Sequence, residues 1–499
     1  MSSLLAGLQR RAEETPNDIV FEGSETSLTA ADLLDGIEEI ASIIRAADAH
    51  TVALLADNSP HWAIVDLSCQ IYGVCLVPVP TFFSATQVDH LLRSAAVDLL
   101  FYDQSHNTKV ANCHKASSYH ISFASLFNIV DVTVDGAALA PPGTSKITFT
   151  SGSTGEPKGV CLSFEQCLNV ARSLAGAVDL PKLRHMCVLP LSTLLENIGG
   201  LYMPLLCGGS GVIYSSNDLG MDGSSGLDAK RFLAAIERAA PNTLILVPQL
   251  LAVLDAAMAR GWQIPSSVQF AAVGGARVAP AMIDRVRARG LPVYEGYGLS
   301  ECGSVVSLNT SASHRSGTSG KVLPHVEVTE RAGELIVSGN AFLGYLNQPE
   351  TWGVSTVDTG DLGHVDSDGF VTVAGRKKNI LITSFGRNVS PEWVESELLA
   401  FRIFQQVVVV GDAMPACAAL LLPWDRLTPD AEIHAALECA NAVLPDYARI
   451  QHWSRLSDAL SVDNGLLTDN GRPRREQIQK HYDEQIKYMY VETKESMVL

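Results

Sequence analysis

The chain has 499 residues, 47% of them hydrophobic and 18% charged, a composition that builds folded domains and excludes a disordered chain. Against 36 basic residues stand 54 acidic ones, for a formal net charge of −18. That balance excludes a general nucleic-acid binder, whose surface must neutralise phosphates, while leaving room for a local basic pocket.

At the N-terminus, MSSLLAGLQRRAEETPND has an apolar part too short for a secretory signal, and charge follows it instead of preceding it. Apolar runs at 51–56, 75–80, 97–102 and 243–248 predict buried strands, and 86–95 and 227–240 carry helical periodicity. Strands alternating with helices predict an α/β fold: a large N-terminal domain of stacked mixed or parallel sheets with helices. Ten cysteines are scattered without C-x-x-C spacing. They read as small buried hydrophobes in a reducing, cytoplasmic compartment.

Residues 147–160 read ITFTSGSTGEPKGV. Gly152 and Gly155 allow unusual backbone angles and close approach of a bulky anion. Thr150, Ser151, Ser153 and Thr154 supply hydroxyl donors, successive backbone N–H groups can form an anion-binding nest, and Lys158 adds a mobile positive charge. The loop suits a polyphosphate. It is not the G-x-x-x-x-G-K-[ST] loop, whose spacing is missing.

TSGSTGEPKGV resembles the phosphate-loop signature of the adenylate-forming (AMP-binding) superfamily. The resemblance implies an enzyme that joins a carboxylate to ATP, releases pyrophosphate, and passes the acyl adenylate to a thiol or another acceptor. Further motifs recur in the family's order along essentially the whole chain.

Next in the chain is LPLSTLLEN (189–197), where long-chain acyl-CoA synthetases commonly read L-P-L-x-H-x-x-E. Thr193 replaces the His; Glu196 is kept, to position either Mg²⁺ or a loop. The uncharged stretch 197–217 holds five glycines and reads as a buried helix and strand, so membrane contact is at most peripheral. Gly274, Gly275 and Ala276 resemble the family's turn beside adenine and the acyl pocket. EGYGLSE (295–301) resembles Y-G-x-T-E. There Tyr297 offers a flat face to adenine, Gly298 precedes the turn, and Ser300 keeps the usual Thr hydroxyl. Glu301 is the implied Mg²⁺ ligand, because a hard cation on phosphate prefers oxygen donors.

A β-rich subdomain is expected over 317–375, with strand-turn-strand patterns at 333–345 and 363–375. Within it VDTGDL (357–362) resembles the T-G-D motif, which makes Asp361 the ribose-binding carboxylate and Asp358 a structural acid. Residues 1–375 thus form the N-terminal domain, and 376–499 a small mobile α+β C-terminal domain. In GRKKN (375–379), Arg376 is implied to reach the ribose and Lys378 to be the hinge. Gly386 matches the glycine lining the pantetheine channel in the thioester half-reaction. Ser390-Pro391-Glu392 predicts a helix start capped by Ser390, 405–412 and 416–423 predict paired strands, and a helix is expected from about Pro429.

The family places a lysine in a T-x-x-G-K context near the C-terminus, bridging the substrate carboxylate and the ATP α-phosphate. Here Arg472 stands there. Arginine keeps the charge but is planar and bulkier, so the exchange is not conservative. Three readings follow: Arg472 substitutes competently, adenylation is slowed, or the enzyme works mainly in the second half-reaction. The first is adopted.

Together these residues imply an AMP-forming acid–thiol ligase using ATP, Mg²⁺ and CoA, with Arg472, Lys158 and Glu301 carrying the adenylation chemistry. GRKKNILITSFGRNVSP is similar to bacterial long-chain fatty-acyl-CoA synthetases, which favours a medium- or long-chain fatty acid as the small-molecule partner. The rivals are a stand-alone ligase that loads an acyl carrier protein, an enzyme making another product such as a lactone, and a non-catalytic nucleotide binder.

Overall fold

The structure is a computed structural model that describes residues 3–110, 127–132, 137–150, 157–222, 226–468 and 471–496. Among these residues the strands assemble into four sheets of three or more strands. A nine-stranded sheet has parallel strands at its centre: Val293–Tyr297, Phe270–Val273, Thr243–Leu246, Arg184–Cys187, Ser210–Ile213 and Ile19–Glu22. A seven-stranded sheet runs in the order Gly344–Tyr345, Lys158–Leu162, Lys146–Thr150, Cys75–Pro78, Thr51–Leu55, Leu99–Tyr102 and Asn128–Asp131. Its central pairs are parallel and its outer pairs antiparallel. Strands Phe270–Val273, Cys75–Pro78 and Leu99–Tyr102 read as apolar runs because both faces are covered.

Helices fill the space between these sheets. Helix Ala30–Ala46 opens on a reciprocal capping box between Thr29 and Asp32 and buries Leu33, Ile37, Ile40 and Ile44 on one face. Helix Pro60–Tyr72 is started by Ser59, whose hydroxyl accepts from the Trp62 N–H, and ends at Gly73. One apolar cluster joins Phe21 and Cys187 of the larger sheet to Leu54, Leu76 and Val160 of the smaller around Trp62.

A polar pin crosses this core. The Lys146 ammonium donates to Asp66 Oδ1 at 2.6 Å, to the Tyr202 hydroxyl at 2.7 Å, and to Asn197 Oδ1. Tyr202 donates in turn to Asp66 Oδ2 at 2.6 Å. All four side chains are buried. The pin ties helix Pro60–Tyr72 and the π-helical turn Asn197–Tyr202 to strand Lys146–Thr150, which leads into the phosphate loop.

Strands and helices predicted within 51–102 and 227–248 appear within two residues of their expected limits. The stretch 197–217 holds the π-helical turn, helix Met203–Leu206 and strand Ser210–Ile213. The 363–375 pattern is a hairpin end of a four-stranded sheet, formed by Thr356–Val365 and Val371–Arg376. The 333–345 pattern is not a hairpin. Glu334–Ser338 stays in the four-stranded sheet, whereas Gly344–Tyr345 pairs with Lys158–Leu162 of the seven-stranded one. The reason is Asn340, whose buried amide donates to the Gln166 and Cys302 carbonyls and draws the chain across.

After Arg376 come helix Pro391–Leu399 and the antiparallel strands Phe404–Val410 and Cys417–Pro423, joined by a parallel strand Ile450–Arg455. Helix Asp430–Val443 begins where expected. Ser390 does not cap its helix with its side chain; its hydroxyl donates to Glu392 Oε2 at 3.2 Å, a stronger acceptor within reach. Cys69, Cys161, Cys167, Cys187, Cys302 and Cys417 are buried, and Cys439 is exposed. Burial pushes the Cys161 thiol up to about 12. No helix among the described residues is long and apolar enough to cross a membrane.

Candidate active site

The phosphate loop turns between two antiparallel strands, Lys146–Thr150 and Lys158–Leu162, with Thr150 paired to Lys158. Its tip, with Ser151, Gly152, Ser153, Thr154 and Gly155, lies outside the described residues. Lys158 sends its ammonium over the Tyr345 ring, 5.3 Å from the centroid.

Strand Val293–Tyr297 carries the next motif to the same end of the molecule. Gly298 is obligatory behind it: a Cβ there would stand 1.6 Å from the Ser304 carbonyl oxygen. The tight turn that results, Ser300–Cys302, presents Glu301. Glu301 Oε1 accepts from the Tyr345 hydroxyl at 2.8 Å. Among the described residues no protein donor holds its other oxygen. A half-exposed carboxylate oxygen, joined through Tyr345 to Lys158, fits Mg²⁺, which takes one or two carboxylates and completes its shell with phosphate and water.

Tyr297 is tied to Asp361 rather than standing free. Its hydroxyl donates to Asp361 Oδ2 at 2.7 Å, and Arg376 Nε meets Asp361 Oδ1 at 2.7 Å. Asp361 and Arg376 face each other as a cross-strand pair. Burial raises the Asp361 carboxyl above its ordinary value, against the opposing pull of Arg376, the Tyr297 hydroxyl and Arg472. Burial, then the Asp361 charge, raises the Tyr297 phenol. Asp358 lies outside this cluster, in an exposed ion pair with Arg331 at 2.6 Å.

Arg472 closes the cluster from the far side. Its Nη2 donates to the Gly275 carbonyl at 2.6 Å, across 197 residues of chain. The Arg472 turn is closed by N–H bonds from Thr468 to the Arg472 carbonyl at 2.7 Å and from Arg472 to Thr468 Oγ1 at 3.1 Å. Arg475 anchors the turn's other end, with Nη2 2.7 Å from Glu395 Oε2. The Arg472 side chain reaches solvent at the rim, yet crowding by protein, then the like charge of Arg376, lowers its pKa. Asp361 and Glu392 oppose that shift.

Gly274 is buried, whereas Gly275 and Ala276 are exposed. Ser300 is half-buried on the Glu301 turn. Lys378 is exposed; desolvation, then Arg376 and Arg472, lowers its ammonium. Gly386 stands apart, on an exposed turn at φ +71° with open space at its Cβ position.

Glu196 is used elsewhere. Its Oε1 meets His185 Nε2 at 2.8 Å, and its Oε2 accepts from the Leu189 N–H at 2.9 Å. With Cys187 these residues bring three possible metal ligands within 4.8 Å, all buried. Both carboxylate oxygens already accept hydrogen bonds, which makes the group a brace for the 189–193 loop. Tyr345 went unnoticed in the sequence; an aromatic residue following a glycine in a β pattern was the signal available.

Comparison with known families matches residues 8–346 to the AMP-binding enzyme family and residues 378–494 to the AMP-binding enzyme C-terminal domain. A long-chain-fatty-acid–CoA ligase of Mycobacterium bovis is 25% identical over 94% of this chain and 93% of its own. A feruloyl-CoA synthase of an Amycolatopsis species is 28% identical over 81% of this chain and 84% of its own. An anthranilate CoA ligase solved with anthranoyl-AMP superposes with a TM-score of 0.82 at 18% identity, covering 97% of this chain and 98% of that one. The chain belongs to the AMP-binding enzyme family and is an AMP-forming ligase of the acyl-CoA synthetase type.

Proposed function

We propose that the enzyme activates a medium- or long-chain fatty acid with ATP and transfers the acyl group to the thiol of CoA. The observation that carries this reading is the approach of Arg472 to the Gly275 carbonyl beside Tyr297, Asp361 and Arg376. It brings a cation from the C-terminal segment onto the rim of the nucleotide motifs.

In the first step the substrate carboxylate oxygen bonds to the α-phosphorus, and the bond to the departing pyrophosphate breaks. Both partners are anions, so alignment and positive charge carry the catalysis. Lys158 and Arg472 supply charge from opposite sides. Thr150 and the loop residues Ser151 to Gly155 hold the phosphates. Asp361 and Arg376 fix the ribose, and Tyr297 with Gly274, Gly275 and Ala276 borders adenine and the acyl group. Mg²⁺ held by Glu301 would neutralise charge on the phosphate oxygens.

Residues 1–375 act as the N-terminal domain, and 376–499 as a C-terminal domain turning about Lys378. That rotation withdraws Arg472 and brings Gly386 to the thiol channel for the second step. The cysteine usage favours a cytoplasmic location.

An aryl acid is the second reading, favoured by the likeness to a feruloyl-CoA synthase. ATP–pyrophosphate exchange across fatty acids of graded length, with ferulate and benzoate alongside, separates the two. Exchange peaking on one fatty acid length supports the proposal; exchange confined to aryl acids overturns its acid class. Thioester formed with CoA, and not with an acyl carrier protein alone, supports the acceptor.

A further inference from the structure

We propose that Tyr345 is a positioning residue that sets the metal-binding geometry of Glu301 and the placement of the Lys158 charge together. The assignment rests on the reading of Glu301 as the Mg²⁺ ligand given above.

Tyr345 touches both groups with different atoms. Its hydroxyl donates to Glu301 Oε1 at 2.8 Å, and its ring face lies under the Lys158 ammonium at 5.3 Å. A cation over an aromatic face and a hydrogen bond at the ring's edge do not compete. The side chain therefore joins a basic and an acidic group, both of which serve the phosphates in the proposed function. Only one Glu301 oxygen accepts this bond, and among the described residues no protein donor holds the other, which leaves it available to a metal. A donor behind a ligating carboxylate orients it and tunes its affinity.

The Tyr345 main chain is itself held at both polar groups. Its N–H donates to Thr351 Oγ1 at 2.9 Å, and its carbonyl accepts from Trp352 Nε1 at 3.0 Å. Gly344 permits this approach at φ +140°, where a Cβ would stand 2.4 Å from Trp352 Cδ1. Phe342, edge-on to the Tyr345 ring at 4.8 Å, donates its N–H to the Glu301 carbonyl at 2.7 Å. One short segment thus grips Glu301 by backbone and side chain.

The test uses Mn²⁺ and the non-hydrolysable analogue α,β-methylene-ATP on the full chain, with free Mn²⁺ read by electron paramagnetic resonance. Tyr345→Phe keeps the ring and loses the hydroxyl; Tyr345→Leu loses both. Tyr345→Phe is expected to weaken Mn²⁺ in the ternary complex about tenfold or more, approaching Glu301→Gln, with metal-free analogue binding unchanged. Tyr345→Leu should weaken metal-free analogue binding as well. Mn²⁺ affinity of Tyr345→Phe within about twofold of wild type would overturn the assignment, a margin well inside the effect expected of a second-layer partner. Wild-type affinity in Glu301→Gln would overturn it together with the metal reading of Glu301. A wild-type chain that holds Mn²⁺ and the analogue but exchanges pyrophosphate with no acid sinks the proposed function and leaves the Tyr345 result standing.

Discussion

Arg402 and Asp255 form a two-point ion pair, Nη2 to Oδ1 and Nε to Oδ2, each 2.9 Å, between the C-terminal segment and helix Pro248–Ala259. Asp255 is buried and also takes Arg285 and Arg289, at 2.9 and 2.7 Å. Burial alone would raise its carboxyl; hydrogen bonds from Arg402 and Arg285 outweigh that and hold it down at about 2. Arg285 Nη2 also donates to the Ala400 carbonyl at 3.0 Å, so the same group of arginines clasps the C-terminal segment twice.

In the proposed rotation of the C-terminal segment, this clasp is expected to favour the arrangement in which Arg472 meets Gly275. Arg402→Gln leaves Asp255 neutralised by Arg285 and Arg289, so the melting temperature should hold. Arg402 is partly exposed, so its pair is worth about 1 kcal/mol. ATP–pyrophosphate exchange should fall about fivefold, in step with that energy. Unchanged exchange would mean that the clasp does not bias the domains.

Arg472→Ala should slow acyl-adenylate formation by about 10²–10³-fold, the usual cost of one electrostatic donor at a developing charge. Thioester formation from supplied acyl adenylate should persist, because the proposed rotation withdraws Arg472 before that step. Arg472→Lys should lie between the two, since the charge stays and the two-point donor is lost. Single-turnover measurement of each half-reaction reads these outcomes; equal losses in both would remove Arg472 from its assigned step.

Lys146→Met leaves the Asp66 carboxylate buried without its cation. The expected loss is about 3–5 kcal/mol, the range for breaking a buried pair from one side. Asp66→Asn with Lys146→Met removes both charges and should lose less than the sum of the singles. Chemical denaturation of the four proteins measures the coupling, and additive losses would deny the pair its role.

Glu295 provides the pH test. Burial raises its carboxyl from 4.5 to about 7, against hydrogen bonding by Ser319 and the charge of Arg277. Below about pH 4.5 it is protonated in both folded and unfolded chains and costs nothing. As pH rises toward 7 the unfolded chain ionises first, and stability falls by an amount of order 3 kcal/mol. Glu295→Gln removes that loss, so its melting temperature should gain on wild type from pH 4.5 to 7 and level off above. A constant difference across that window would count against a buried, proton-binding Glu295.

The strand and helix order was legible because buried parallel strands leave unbroken apolar runs and amphipathic helices leave a 3.6-residue period. In the 333–345 stretch both expected strands form, but which sheet each joins was not legible, for the complementary reason. Two strands on either side of a turn need not pair, and Asn340 sends the second into another sheet through contacts with Gln166 and Cys302. Ser390 illustrates the same limit at a single side chain: its type predicted a cap, but the neighbouring Glu392 carboxylate was the better partner.

The sequence by itself determined the chemistry on offer: a hydroxyl- and glycine-rich loop closed by Lys158, the acids Glu301 and Asp361, and the cations Arg376 and Arg472. Those are properties of residue type and local spacing. Tertiary structure alone decided that Arg472 reaches Gly275, that Arg402 finds Asp255, and that Tyr345 stands between Lys158 and Glu301. Each of these contacts joins segments distant in the chain, and no local period encodes such a meeting. Only packing that repays the entropy of closing long loops can select it.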